Sequence, residues 1–189
     1  MKIVYLHGFN SAGDPTSDKV IALGKLGEVI CPTYNTLAAP SKIENFLNSV
    51  VVEHDPTIIV GCSLGGYWAN RIAYTHFKLA VMLNPSIEPN INLMRAIGEN
   101  VNFKNGEKGI LTKNVVEQYN SMLNYNSNGL VFIDKGDELL DPIKSIQVLS
   151  TRFQVKAFEG GSHRFEHTEE ILSIIDEALI AQQFVGRLS

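Results

Sequence analysis

Six short apolar runs recur along the chain, and most are followed by a stretch in which apolar residues return every three or four positions. The runs are KIVYLH (2–7), EVICPTY (28–34), TIIVGC (57–62), LAVMLN (79–84), GLVFID (129–134) and QVKAFE (154–159). They are continuous rather than alternating, the pattern of strands buried on both faces of a parallel sheet. The intervening stretches carry helix signals. Ser41 and Glu44 form a capping-box signature ahead of IENFLNSVVVEH, with Pro40 in the entry turn. LGGYWANRIAYTHF, after Ser63, reads as a helix despite its glycines. TKNVVEQYNSMLNY (112–125) reads as another, with Thr112 as N-cap. Pro142 opens a further one at PIKSIQVLSTRF. EEILSIIDEALIAQQF places Ile171, Leu172, Ile175, Ala178 and Leu179 along one stripe. Strand and helix alternate, which predicts one α/β domain over 1–189 with helices on both faces of a sheet.

The rhythm breaks between 85 and 128, where NPSIEPNINL and NFKNGEKG are irregular and the chain travels farther between strands than one helix requires. Two alternatives fit such an excursion, a short helical insertion acting as a lid or binding loop, and plain surface decoration. Composition narrows the partners. Hydrophobic residues make up 44% of the chain, charged residues 19%, and the net charge is −4 with no run of Lys or Arg, so no nucleic-acid or anionic-membrane footprint is expected. MKIVYLHG is too short for a signal segment and lacks a cleavage pattern, and no apolar run approaches the ~18 residues needed to cross a bilayer. Cytoplasm is the expected compartment. Cys31 and Cys62 lack any metal-ligand spacing and are expected to be buried small hydrophobes. The oligomeric state is left open.

The chemistry begins at VGCSLGGYW. Gly61-Cys62-Ser63-Leu64-Gly65 matches GxSxG, a turn that holds a serine in strained backbone between a strand and a helix. Chance alone produces this pattern in roughly one chain in twenty of this length, so the setting matters. Here a strand-like run precedes it and an amphipathic stretch follows. A serine at this place also fits an ordinary helix cap, and the two roles are compatible, because a helix N-terminus presents N–H groups to a developing oxyanion.

Three further features fall where a nucleophile needs them. A serine hydroxyl needs a base. Of the five histidines, His54 and His76 sit near helix ends, His7 ends the first run, and His167 is expected to start the terminal helix. His163 sits in the glycine-rich EGGSHRFEH after the last run, at the sheet edge where Ser63 emerges. An imidazole base needs a carboxylate on its far nitrogen. FIDKGDELLDP offers four: Asp134 finishes the strand, Asp141 precedes Pro142 as a helix cap, Glu138 fits a solvated turn, and Asp137 at the crown of the loop is the choice. The order Ser63, Asp137, His163 is that of α/β-hydrolases. Two N–H donors must meet the oxyanion. Leu64 follows the serine and supplies one, and Phe9 in YLHGFNS supplies the other once Gly8 turns the chain. His7 is expected to order that loop by hydrogen bonding.

YLHGFNS, GCSLGGYW, NPSIEP, GDELLD and GGSHRFE together resemble the small YqiA-type esterases of the α/β-hydrolase superfamily, and the resemblance extends through the middle IGENVNFKNGEKGILT. It implies esterase or thioesterase chemistry on acyl esters or thioesters, with Ser63, Asp137 and His163 as the triad. Two positions depart from the pattern: Cys62 stands where serine is usual and Trp68 where tyrosine is usual. The fold implied is a minimal α/β-hydrolase with six parallel strands in order 2-1-3-4-5-6. The chemistry calls for no metal and no organic cofactor. Leu93, Met94, Ile97 and Phe103 are candidates to line an acyl pocket or, equally, to form the insertion's own small core. A catalytically silent binding protein of the same fold is the rival, and a peptidase, lipase or acyltransferase would use the same residues.

Overall fold

The computed structural model describes residues 1–185; residues 186–189, the last four of the expected domain, lie outside the described residues. A parallel six-stranded sheet forms the centre. Its strands are β1 (Lys2–Leu6), β2 (Glu28–Ile30), β3 (Ile58–Cys62), β4 (Leu79–Leu83), β7 (Asn128–Asp134) and β8 (Gln154–Phe158), in spatial order β2-β1-β3-β4-β7-β8. That is the order expected, with every pairing parallel. The second run yields only a three-residue edge strand, because Pro32 has no N–H to offer a ladder.

Successive residues of each central strand face opposite cores. Val4, Leu6, Ile59, Ala80, Met82, Val131 and Ile133 pack beneath α2 (Pro40–His54), α3 (Leu64–His76) and α6 (Pro142–Leu149). Ile3, Tyr5, Ile58, Val60, Val81, Leu83 and Phe132 pack against α1 (Asp18–Leu23) and α7 (Leu172–Val185). The predicted stripe on the last helix is the face that closes this second core, with Ile171 and Ile175 fully buried. Burial on both faces explains why the strand runs are continuous in sequence. Among the described residues no helix is long and apolar enough to cross a membrane.

Two helix starts differ from expectation. The capping box at Ser41 and Glu44 does not form: Pro40 occupies the first helical position with Ala39 as N-cap, so Ser41 lies two positions inside the cap site. Glu44 instead takes a two-pronged ion pair from Arg71 on α3, with nitrogen-to-oxygen distances of 2.7 and 2.6 Å. The 112–125 stretch divides into α5 (Lys113–Glu117), capped as expected by Thr112, and a 3-10 turn at Met122–Asn124. Ser121 breaks it by accepting the Leu123 N–H in place of a helical bond.

The segment from 85 to 128 holds α4 (Pro89–Asn92), a 3-10 turn at Leu93–Ala96, α5, and an antiparallel hairpin of β5 (Gly98–Val101) and β6 (Lys108–Leu111) that no periodicity announced. Leu93, Leu111, Val116, Tyr119 and Met122 join the core beneath α3. Trp68 is the hinge of that packing. It is fully buried and meets Tyr67 and Tyr119 edge-on, at ring separations of 5.0 and 5.8 Å. Trp68→Ala is therefore expected to cost about 3–5 kcal/mol, read as a fall in urea midpoint; a loss below ~1 kcal/mol would show that the insertion packs independently of α3.

Candidate active site

Ser63 joins β3 to α3 with φ 56° and ψ −120°, a conformation that costs a non-glycine residue on the order of 1–3 kcal/mol. The surroundings enforce it. Its N–H donates to Leu83 O at 2.9 Å, and its carbonyl accepts from Gly66 and Ser86 N–H at 2.9 and 3.0 Å. The flanking glycines are steric necessities, since a methyl on Gly61 would overlap the Gly65 carbonyl and one on Gly65 would overlap the Leu6 carbonyl. Although Ser63 stands at the N-cap position, its hydroxyl makes no capping bond. Ser63 Oγ lies instead 2.8 Å from His163 Nε2.

His163 reaches Ser63 from the loop after β8, and its Nδ1 sits 2.9 Å from both carboxylate oxygens of Asp137. Asp137, in the loop after β7, is 9% exposed. Its Oδ1 also accepts the N–H groups of Leu139 and Leu140 at 2.8 and 2.9 Å. Burial pushes the Asp137 carboxyl upward, but the bonds from His163, Leu140 and Leu139 outweigh it and hold the pKa below the ordinary aspartate value. Asp137 is therefore charged wherever the imidazole needs a counter-ion. Glu138, expected to be merely solvated, is exposed yet accepts the His163 N–H at 2.9 Å, and this bond holds its carboxyl low.

The loop after β1 passes directly over the serine. A methyl built on Gly8 would stand 3.4 Å from Ser63 Cβ and 3.9 Å from Oγ. Phe9 comes next, and among the described residues neither the Phe9 nor the Leu64 backbone N–H donates to a protein acceptor. Two donors are thus unspent beside one hydroxyl. His7 orders this loop. Tyr34 N–H points at its Nε2 (3.3 Å), so the ring proton sits on Nδ1 and donates to Gly8 O at 2.9 Å. Tyr34 also stacks on the ring at 4.1 Å and donates its hydroxyl to His7 O. Asn10, at φ 54°, ties the loop to the hairpin: its Nδ2 donates to Val101 O at 2.7 Å and its carbonyl accepts from Phe103 N–H at 3.2 Å. The hydrogen bonding of His7 is as expected, whereas the Asn10 contacts could not be read from periodicity, although Asn105-Gly106 inside NFKNGEKG is a hairpin signal.

The four candidate lining residues do not share a wall. Leu93 is 7% exposed in the main core, whereas Met94, Ile97 and Phe103 face solvent, so neither an acyl pocket nor a separate small core gathers them. A cavity of about 220 Å³ opens instead between the chain after β2 and the hairpin, with Asn10, Thr33, Thr36, Asn102 and Lys108 among its lining. Cys62, at the usual serine position, is buried beside the His163 loop with Sγ 3.6 Å from Arg164 O, and burial pushes its thiol up to about 11. His167 does not begin α7; it sits in the preceding loop against Asp134.

Known proteins share this architecture. The family described as "Uncharacterised protein family (UPF0227)" matches residues 2–179. A UPF0227 protein of Vibrio vulnificus is 30% identical over 176 residues, covering 90% of this chain and 94% of its own. Among solved structures, Est1E from Butyrivibrio proteoclasticus superposes with a TM-score of 0.73 at 19% identity over 96% of this chain and 87% of its own. A monoacylglycerol lipase of Paleococcus ferrophilus does so with 0.67 at 14% identity over 95% and 94%. At these identities the structural matches establish the fold, that of α/β-hydrolases.

His7 supplies a pH test of the loop. Burial lowers its pKa from 6.5 to about 4. The unfolded chain therefore binds a proton that the folded chain refuses, and stability falls as pH drops from 6.5 toward 4, by about 3 kcal/mol at ~1.4 kcal/mol per pKa unit. Urea unfolding at pH 7 and pH 4.5 should show His7→Asn with a shallower pH dependence than the parent; equal slopes would show that His7 is free to protonate in the fold.

Proposed function

The chain belongs to the UPF0227 family, and on that premise we propose that it is a serine hydrolase cleaving ester or thioester bonds of small acyl substrates. One observation carries the proposal: the Ser63 hydroxyl forgoes the helix N–H groups it is placed to cap and bonds to an imidazole whose other nitrogen faces a buried carboxylate. A cap has no use for that arrangement. A nucleophile does, because a neutral serine needs a positioned base.

In the proposed reaction His163 Nε2 accepts the Ser63 proton as Oγ attacks the acyl carbonyl. The C=O π pair moves onto oxygen, which rests on the Phe9 and Leu64 N–H groups. The tetrahedral centre collapses, His163 returns the proton to the departing alcohol or thiol, and an acyl ester remains on Ser63. Water then attacks that ester with His163 again as base, releasing the acid and restoring the serine. Asp137 stays ionised and stabilises the imidazolium. The unspent Phe9 and Leu64 donors support this assignment because the loop bearing Phe9 is pinned by His7, Tyr34 and Asn10. The solved structures named for an esterase and a lipase are compatible with ester substrates here.

Ser63→Ala should lower kcat on p-nitrophenyl acyl esters by roughly 10⁴-fold or more, and Asp137→Asn by about 10⁴-fold. A fluorophosphonate should label the parent and fail to label Ser63→Ala. Turnover that survives Ser63→Ala unchanged, or a parent that resists the reagent, would favour the catalytically silent alternative. A chain-length series of esters and acyl-CoA thioesters separates the two substrate classes by kcat/KM.

A further inference from the structure

Behind His163 lies a second set of buried polar groups that the proposed reaction does not consume. Asn84 follows β4 with φ 40° and is 3% exposed. Its Nδ2 donates to Ser162 O at 2.8 Å and to His163 O at 3.3 Å, while its Oδ1 accepts the Asp134 N–H at 2.8 Å. Asp134 ends the neighbouring strand β7 and is fully buried. Its Oδ2 accepts the Glu166 N–H at 2.7 Å, and its Oδ1 lies 2.7 Å from His167 Nδ1. His167 is itself fixed, stacked on Phe158 of β8 with rings 4.7 Å apart and 9° from parallel.

Two adjacent strand ends, bonded to each other, therefore grip the loop on either side of the base: Asn84 holds residues 162 and 163, and Asp134 holds 166 and 167. Between these grips Phe165, at φ 62° and 1% exposed, packs near Phe132 and Phe158, and its N–H closes the turn onto Ser162 O at 2.9 Å. A carboxylate buried this completely is costly and gives no net stability unless every oxygen is matched. Asp134 reaches neither Ser63 nor the His163 ring, so its only local consequence is the path of the loop. We propose that Asn84 and Asp134 are positioning residues that set the reach of His163 to Ser63, with His167 locking the Asp134 carboxylate. The proposal rests on the triad described above.

The test is kcat per active site, counted by fluorophosphonate titration so that unfolded protein is excluded. Displacing a base by about 1 Å costs ~10²-fold, so Asn84→Ala and Asp134→Ala should each lower kcat per titrated site by about that factor with KM nearly unchanged. Asp134→Asn should recover most of the loss. Its carbonyl keeps the Glu166 N–H, and its amide donates to His167 Nδ1 once that ring carries its proton on Nε2. His167→Phe preserves the stack, frees one carboxylate oxygen and should give an intermediate loss, which keeps the test open if Asp134→Ala fails to fold. Parental kcat per titrated site in these variants, with only the melting temperature lowered, would overturn the proposal, as would Asp134→Asn being no better than Asp134→Ala. A Ser63→Ala variant that still turns over would instead remove the triad on which the proposal stands.

Discussion

Ser63 sits in backbone that no serine adopts for its own sake, and the rest of the molecule is arranged to keep it there. The parallel register places Leu83 alongside Cys62, so the Leu83 carbonyl is in position for the Ser63 N–H, while the start of α3 takes the serine carbonyl. Glycines at 61 and 65 allow the strand, the helix and the end of β1 to approach within a distance that any side chain would prevent. The strain of on the order of 1–3 kcal/mol is offset by burial on both faces of a sheet whose central strands are almost wholly enclosed. The hydroxyl that results points away from the helix and toward the imidazole.

The same edge of the sheet supplies everything that meets that hydroxyl. Chain segments leave β1, β3, β4, β7 and β8 at one level, carrying in turn His7 to Asn10, Ser63, Asn84, Asp134 to Glu138, and His163 to His167. Backbone bonds continue past the strand ends, from Ser86 N–H to Ser63 O and from Gly136 N–H to Gly160 O, and side-chain bonds from Asn84, Asp134 and Asp137 add to them. Asp137 accepts two N–H groups besides the imidazole, His7 uses both ring nitrogens, and Asn84 uses both ends of its amide. Buried polar groups satisfied in this way specify one geometry, because any other arrangement leaves a donor or a carboxylate unmatched. The insertion takes part through Val101, whose carbonyl accepts from Asn10 of the loop after β1, and through Tyr119, which packs on Trp68.

The strands, their order, the turn at Ser63 and its helix were legible because each rests on local pattern: continuous apolar runs, strand-turn-helix at GxSxG, and glycine-rich loops at strand ends. The choice of Asp137 over Asp134 came from position in the loop, and the structure places Asp137 on His163. What escaped the sequence depends on partners far along the chain. Glu44 looked like a capping residue until Arg71, 27 positions later, claimed it. Asn84 looked like part of a loop, yet its amide joins β7 to residues 78 and 79 positions away. The hairpin at 98–111 has no strict alternation, since Asn100 and Gly109 interrupt it and only its turn is marked. Leu93 and Phe103 have the same hydrophobic character in sequence, and only the path of the insertion sends one inward and leaves the other exposed.

In the reaction we propose, Ser63 carries the acyl group between two half-reactions. The direct measurement is acid quenching during turnover of a p-nitrophenyl ester, followed by peptide mass analysis of the stretch spanning 60–68. The acyl mass should appear on Ser63 in the steady state and be absent from Ser63→Ala. Turnover at the parental rate with the acyl group on Cys62, or with none on this peptide, would contradict it.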